Sequence, residues 1–191
     1  MTDTWSPRNE EQADAYGSCT HNAITFLLGP AGSGKTHVAV AAAQRLVERN
    51  TVSRIWLTRP LVECDEKLGY LKGRLDEKLE PWLAPFRDVN GGKMPRHVEA
   101  VPLGFMRGRT IWDSVAILDE AQNATRKQLV MFLSRLGRRG RVIVTGDTDQ
   151  CDIRQPALPD VVRRLEGLTG VGVVTMRDAG VRQELLPEIL R

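Results

Sequence analysis

The chain has 191 residues, enough to bury one sizeable core with little room for a second full domain. Hydrophobic residues make up 41% and charged residues 27%, and no apolar run approaches the ~20 residues of a membrane span, so a helical membrane protein is excluded and a single cytoplasmic domain is expected. A net charge of +3 excludes a polycation, and the three scattered cysteines, Cys19, Cys64 and Cys151, form no C-x-x-C pair that would read as zinc or redox chemistry.

Taken in order, residues 1–23 are polar, begin without the basic-then-apolar pattern of a signal peptide, and predict a short helix through Tyr16. Asn9 and Gln12 stand at its start, where either is a cap or a surface residue and where an amide also matches the donor and acceptor of an adenine edge. The apolar run Ile24 to Leu28 predicts a strand, and the alanine-rich stretch Val38 to Val47 predicts a helix with Val38, Ala42 and Leu46 on one buried face. Between them Gly29, Pro30, Ala31, Gly32, Ser33, Gly34, Lys35 and Thr36 match the phosphate loop G-x-x-x-x-G-K-[ST] in full, in its proper strand-loop-helix setting. Its glycines let backbone N–H groups and the positive end of the following helix face phosphate oxygens. Lys35 is placed to reach the terminal phosphates of a nucleoside triphosphate, and the Thr36 hydroxyl to coordinate magnesium.

Arg54 to Thr58 predicts the next strand, stopped at Arg59 and Pro60. Residues 61–95 read as an insert between core strands, longer than an ordinary connection, with a helix over Leu75 to Leu79 ended by Pro81 and then a turn-rich stretch containing Gly91 and Gly92. His97 to Val101 is a weaker strand, and Arg107 and Arg109 fall on a loop after it. Val115 to Leu118 is a compact apolar strand ending in Asp119 and Glu120. A helix from Thr125 to Leu136 carries an apolar stripe of Leu129, Phe132, Leu133 and Leu136. The basic group Arg135, Arg138, Arg139 and Arg141 suits either a phosphate backbone or the negative end of that helix. Arg141 to Thr145 is another buried strand running into Gly146, Asp147 and Gln150; Leu158 to Leu168 is helical, Val171 to Thr175 a last strand, and Glu184 to Arg191 a terminal helix broken by Pro187. The alternation predicts an α/β fold, a mainly parallel sheet flanked by helices on both faces.

Open parallel sheets bind ligands at the C-terminal ends of their strands, where the phosphate loop, Thr58 with Arg59, Asp119 with Glu120, and Asp147 to Gln150 are all expected. Asp119 suits a magnesium shell, Glu120 suits a general base that activates water, and Gln150 is either a turn residue or a contact to the terminal phosphate. Positive charge on the transferring oxygens is expected from an arginine, with Arg59, Arg107, Arg109 and Arg182 as candidates from this subunit or a neighbour. A small-molecule kinase and a nucleotide-gated binding module use the same loop, but adjacent acids suit activation of water.

Seven motifs then carry a resemblance over nearly the whole chain: Asn9 with Gln12; the phosphate loop; Thr58 to Pro60 with Val62 and Glu63; Glu66 to Leu71; Pro102 and Leu103 with Met106 to Thr110; Ile117 to Asn123; and Thr145 to Asp147 with Gln150. The chain resembles the PhoH family of P-loop ATPases, akin to superfamily-one helicases. That resemblance implies a RecA-like core, hydrolysis of ATP with Mg2+, and a link to RNA or single-stranded nucleic acid that the core itself must contact. It makes Gln12 the adenine contact and Gln150 the terminal-phosphate sensor, sets Arg59 near nucleic acid with Arg107 and Arg109 as further contacts, and makes Arg182 the candidate arginine finger. It also implies a homo-oligomer, with a hexameric ring as one form. Cys64 and Asp65, and Lys72 to Arg74, depart from the residues expected there, so the insert is where binding is expected to differ.

Overall fold

Short apolar runs become the central strands here because they are buried on both faces, as a parallel sheet requires, whereas the two edge strands are only partly buried. The computed structural model describes residues 5–60, 79–89, 92, 95, 97–147 and 157–177. Its strands are β1 (Ile24–Leu28), β2 (Arg54–Thr58), β3 (Val98–Ala100), β4 (Ser114–Leu118), β5 (Arg141–Gly146) and β6 (Val171–Thr175). They form one six-stranded sheet in the order β3-β2-β4-β5-β1-β6, and every pairing is parallel. The helices are α1 (Glu10–His21), α2 (Lys35–Glu48), α3 (Ala84–Val89), α4 (Arg126–Leu133) and α5 (Leu158–Leu165).

The two-residue period of the strands divides the core into two layers. Leu27, Ile55, Leu57, Val115, Ile117 and Ile143 point to the face covered by α1, α2 and α3, through Ala15, Cys19, Val38, Ala42, Phe86 and Val89. Phe26, Leu28, Trp56, Ala116, Leu118, Val142 and Val144 point to the opposite face, covered by Leu129 and Phe132 of α4 and by Leu158, Val161 and Val162 of α5. Each large apolar side chain among these, buried from water, stabilises the fold by roughly 1.5–3 kcal/mol before the entropy of ordering it is subtracted.

Several element ends differ from the sequence expectation. Helix α1 continues past Tyr16 to His21, because Asn9 caps it by accepting from the Gln12 amide at 2.9 Å and the buried stripe of Gln12 and Ala15 runs on to Cys19. Helix α4 stops at Leu133 rather than Leu136, since Leu136 leaves the helix to bridge Ile111. Its start is as read: Thr125 and Gln128 form a reciprocal capping box. Leu79 is helical, and Pro81 follows it in the first turn of a 3-10 helix, Glu80–Leu83, where its missing N–H is tolerated; α3 then occupies the stretch expected to be turns. Phe86 of α3 is fully buried, so this part of the insert belongs to the core. The expected helices at Leu75 to Leu79 and Glu184 to Arg191 lie outside the described residues, apart from Leu79, which is buried.

Candidate functional site

Parallel pairing aligns the strand ends: Leu28 lies opposite Gly146, and Leu118 opposite both Thr58 and Val144. The residues that follow therefore emerge along one edge. Gly29, Gly32 and Gly34 all have φ between 85° and 144°, the region that favours glycine. At Gly29 the backbone following β6 adds a second constraint, for a Cβ there would lie 1.9 Å from the Met176 carbonyl oxygen. Gly34 caps α2 without a side-chain acceptor and α2 has no acid in its first turn, so the amides at this helix start are left for an anion. The Lys35 Nζ donates to the Gly29 and Pro30 carbonyls at 2.6 and 2.7 Å. Burial pushes this ammonium below its ordinary range, against the pull of the Asp147, Glu120 and Asp119 carboxylates.

Asp119 is the hub of the site and is only 1% exposed. Its Oδ1 accepts from the Thr36 hydroxyl at 2.9 Å and from the Thr145 hydroxyl, and its Oδ2 accepts from Arg59 through Nε at 2.8 Å and through Nη2. A carboxylate this deep is tolerable only with such partners. Magnesium is normally held by one or two carboxylates together with hydroxyl, water and phosphate oxygens rather than by a protein cage. Thr36 and Asp119 fit that donor set. No group of three His, Cys, Asp or Glu side chains able to hold a metal occurs among the described residues.

Glu120 leaves β4 in the left-handed region, at φ 57° and ψ 41°, a conformation costing a non-glycine residue on the order of 1 kcal/mol or more. Its exposed carboxylate accepts from Gln122 Nε2 at 2.6 Å, while Gln122 Oε1 accepts from the Asp147 amide at 3.1 Å. The buried Gln122 thus ties the acid at the end of β4 to the end of β5. Sequence reasoning assigned Gln122 no role; its place two residues after a strand-end acid pair was the available signal.

Gln12 is 3% exposed, with Oε1 accepting from the Arg8 amide at 3.0 Å and Nε2 donating to the Ser33 carbonyl at 3.4 Å, so it backs the phosphate loop. Gln150 and Arg182 lie outside the described residues. The three arginines expected at nucleic acid separate. Arg59 is held between Asp119 and the Trp82 ring, 5.9 Å from its centroid, which draws it toward Asp119 rather than out to solvent. Arg109 pairs with Glu99 at 3.1 Å and lies over Trp56. Arg107 is exposed and has no partner among the described residues. The basic group near residue 138 is not one patch: Arg139 pairs with Asp113 at 3.1 Å and bonds the Asn50 and Thr51 carbonyls, and Arg141 bonds the Asn22 carbonyl.

Residues 4–191 match the family described as PhoH-like protein. The PhoH-like protein of Mycobacterium bovis is 38% identical over 201 residues, covering 98% of this chain and 57% of that protein. The PhoH-like protein of Bacillus subtilis is 37% identical, covering 94% and 60%, and Protein PhoH of Escherichia coli K12 is 39% identical, covering 87% and 51%. The chain thus spans between about half and three-fifths of the length of these curated relatives. Among solved structures, the large terminase from a thermophilic bacteriophage superposes with a TM-score of 0.59 at 10% identity, over 97% of this chain and 50% of that one. The N-terminal domain of the DNA packaging ATPase of bacteriophage phi29 gives 0.52 at 14% identity, over 87% and 95%. At these identities the likeness is one of fold, the RecA-like P-loop architecture.

Proposed function

The chain belongs to the PhoH-like protein family and has a RecA-like P-loop fold, and from that premise we propose that it hydrolyses ATP with Mg2+ and couples this to RNA or single-stranded nucleic acid. The observation that carries the reading is the 2.9 Å contact between Thr36 and Asp119, side by side with a second acid that has its own hydrogen-bonded support. The loop amides and Lys35 bind the phosphates. Thr36 and Asp119 would hold the metal, whose positive charge would offset the negative charge on the phosphate oxygens. Lys35 then exchanges the Gly29 and Pro30 carbonyls for phosphate oxygens. Glu120, oriented by Gln122, takes a proton from the attacking water. Arg59 pairs with the outer oxygen of Asp119 and holds that carboxylate in place. Gln12 is proposed at the adenine, Gln150 at the terminal phosphate, and Arg182 as the finger that completes a neighbouring site in a homo-oligomer. No described helix is long and apolar enough to cross a membrane.

Incubation with ATP and Mg2+, with and without single-stranded RNA, followed by product identification, tests the proposal. Free phosphate that is lost in Lys35→Ala and in Glu120→Gln is the expected result. Transfer of the phosphoryl group to an acceptor would make the protein a kinase, and tight ATP binding without turnover would make it a binding module. Light scattering decides the oligomer: a monomer at working concentration would remove the shared arginine finger.

A further inference from the structure

A groove of about 990 Å³ runs along the outer side of α4, away from the phosphate loop. Arg107, Arg126, Lys127 and Arg135 line it around Val130 and Met131, and its lining contains no carboxylate. Arg107, Arg126 and Lys127 are exposed. Arg126 reaches its nearest acid, Asp160, only at 4.0 Å, and Lys127 has no partner among the described residues. The Arg135 guanidinium donates to the Ser134 hydroxyl while its Nε lacks an acceptor.

Helix energetics oppose this arrangement. The first turn of α4 carries no acid but two adjacent cations, Arg126 and Lys127, at the end where the helix dipole is positive. Such a placement disfavours the helix, and an anion seated in the groove reverses the sign. Val130 is 54% exposed in the middle of these cations, an apolar surface that a base face can cover and a phosphate cannot. A duplex hides its base faces, whereas a single strand offers phosphates and bare faces together.

We propose that this groove seats the phosphodiester backbone of a single-stranded nucleic acid, with unstacked bases against Val130 and Met131. This rests on the ATPase reading for its coupling but not for its binding. The coupling path is short: the Asn123 amide bonds the Glu120 carbonyl at 3.1 Å, the Ala124 amide bonds the Ala121 carbonyl at 3.0 Å, and Thr125 then caps α4. A shift at Glu120 therefore moves the start of the helix that forms the groove wall. From Arg126 to its end at Leu133 the helix runs roughly 10 Å along its axis, with Arg135 just beyond, room for more than one phosphate.

The test is fluorescence anisotropy of labelled oligo-uridylate and oligo-thymidylate against salt, for the full chain and for an Arg126→Ala, Lys127→Ala double variant, with circular dichroism to confirm folding. Four phosphate contacts predict a slope of log affinity on log salt near about −2.8, and the double variant one near about −1.4, at about 0.7 per phosphate. Affinity at about 0.1 M salt should fall at least about tenfold, with ATP hydrolysis in the absence of nucleic acid unchanged. Val130→Asp, which keeps both cations, should also weaken binding. RNA favoured over DNA would point to contacts with the 2′-hydroxyl, and equal affinity to the shared phosphate backbone, and both support the groove. Wild-type and variant binding with the same slope would overturn it. So would a wild-type protein that hydrolyses ATP yet binds neither oligonucleotide, or a double variant whose only change is weaker self-association, which would give the groove to a second copy of the chain. Binding without ATP hydrolysis would overturn the ATPase reading and leave the groove intact.

Discussion

Replacing Gln122 by leucine separates positioning of the general base from everything else in the site. The side-chain amide donates to Glu120 Oε2 at 2.6 Å and accepts from the Asp147 amide at 3.1 Å. Leucine fills similar volume at this 7% exposed position and keeps neither bond. A hydrogen bond to a charged group is worth about 1.5–3 kcal/mol. If that energy holds the carboxylate where the water is deprotonated, kcat should fall roughly 10- to 150-fold. KM for ATP should change little, since the loop, Lys35 and Thr36 are untouched. The assay is steady-state phosphate release across ATP concentrations, paired with urea unfolding. Gln122→Glu adds a second readout, because it keeps an acceptor for the Asp147 amide but sets a carboxylate against Glu120. Like charge drives the two carboxylates apart, so kcat should fall at least as far as in Gln122→Leu. A Gln122→Leu protein with kcat within about twofold of wild type, beside an inactive Glu120→Gln, would refute the role assigned to Gln122.

Gly29→Ala should lower stability by on the order of 3 kcal/mol, through the clash with the Met176 carbonyl at 1.9 Å and the φ of 144°; an unchanged urea midpoint would contradict this. Asp119→Ala should cost about 3 kcal/mol by leaving the partly buried Arg59 without its carboxylate, and adding Arg59→Ala should recover part of the loss. Strict additivity in that double-mutant cycle would show that the pair is not coupled. Burial holds the His97 pKa below its ordinary 6.5, against a smaller opposing pull from Glu48. The unfolded chain then binds the proton more readily, so this contribution to stability is full above pH 6.5 and declines as pH falls from there toward the folded pKa. Unfolding titrations of wild type and His97→Asn should diverge in that acid window, and parallel curves would disprove the contribution.

The central strands and the phosphate loop were legible because both are local: a run of four or five mostly apolar residues buried on two faces, and an eight-residue pattern with required glycines. Helix ends were less legible, since tertiary contacts set them. Leu136 follows an apolar period that continues α4, yet its bridge to Ile111 takes it elsewhere. Arginine clusters were left open for a related reason: neighbours in sequence, Arg138, Arg139 and Arg141, diverge once turns give each its own surroundings, whereas Arg107 and Arg126 come together only across the fold.

By itself the sequence determined the α/β class, the family resemblance and the identity of the phosphate-binding loop. Tertiary structure alone decided that β5 lies between β1 and β4, so that Thr36 meets Asp119 across 83 residues, and that β2 pairs with β4, so that Arg59 meets it across 60. It also gave Gln122 its link to β5 and formed a basic groove beside α4. Local patterns record which face of an element must be buried. Which side chains then meet depends on strand order and crossovers, and no short window of sequence contains those.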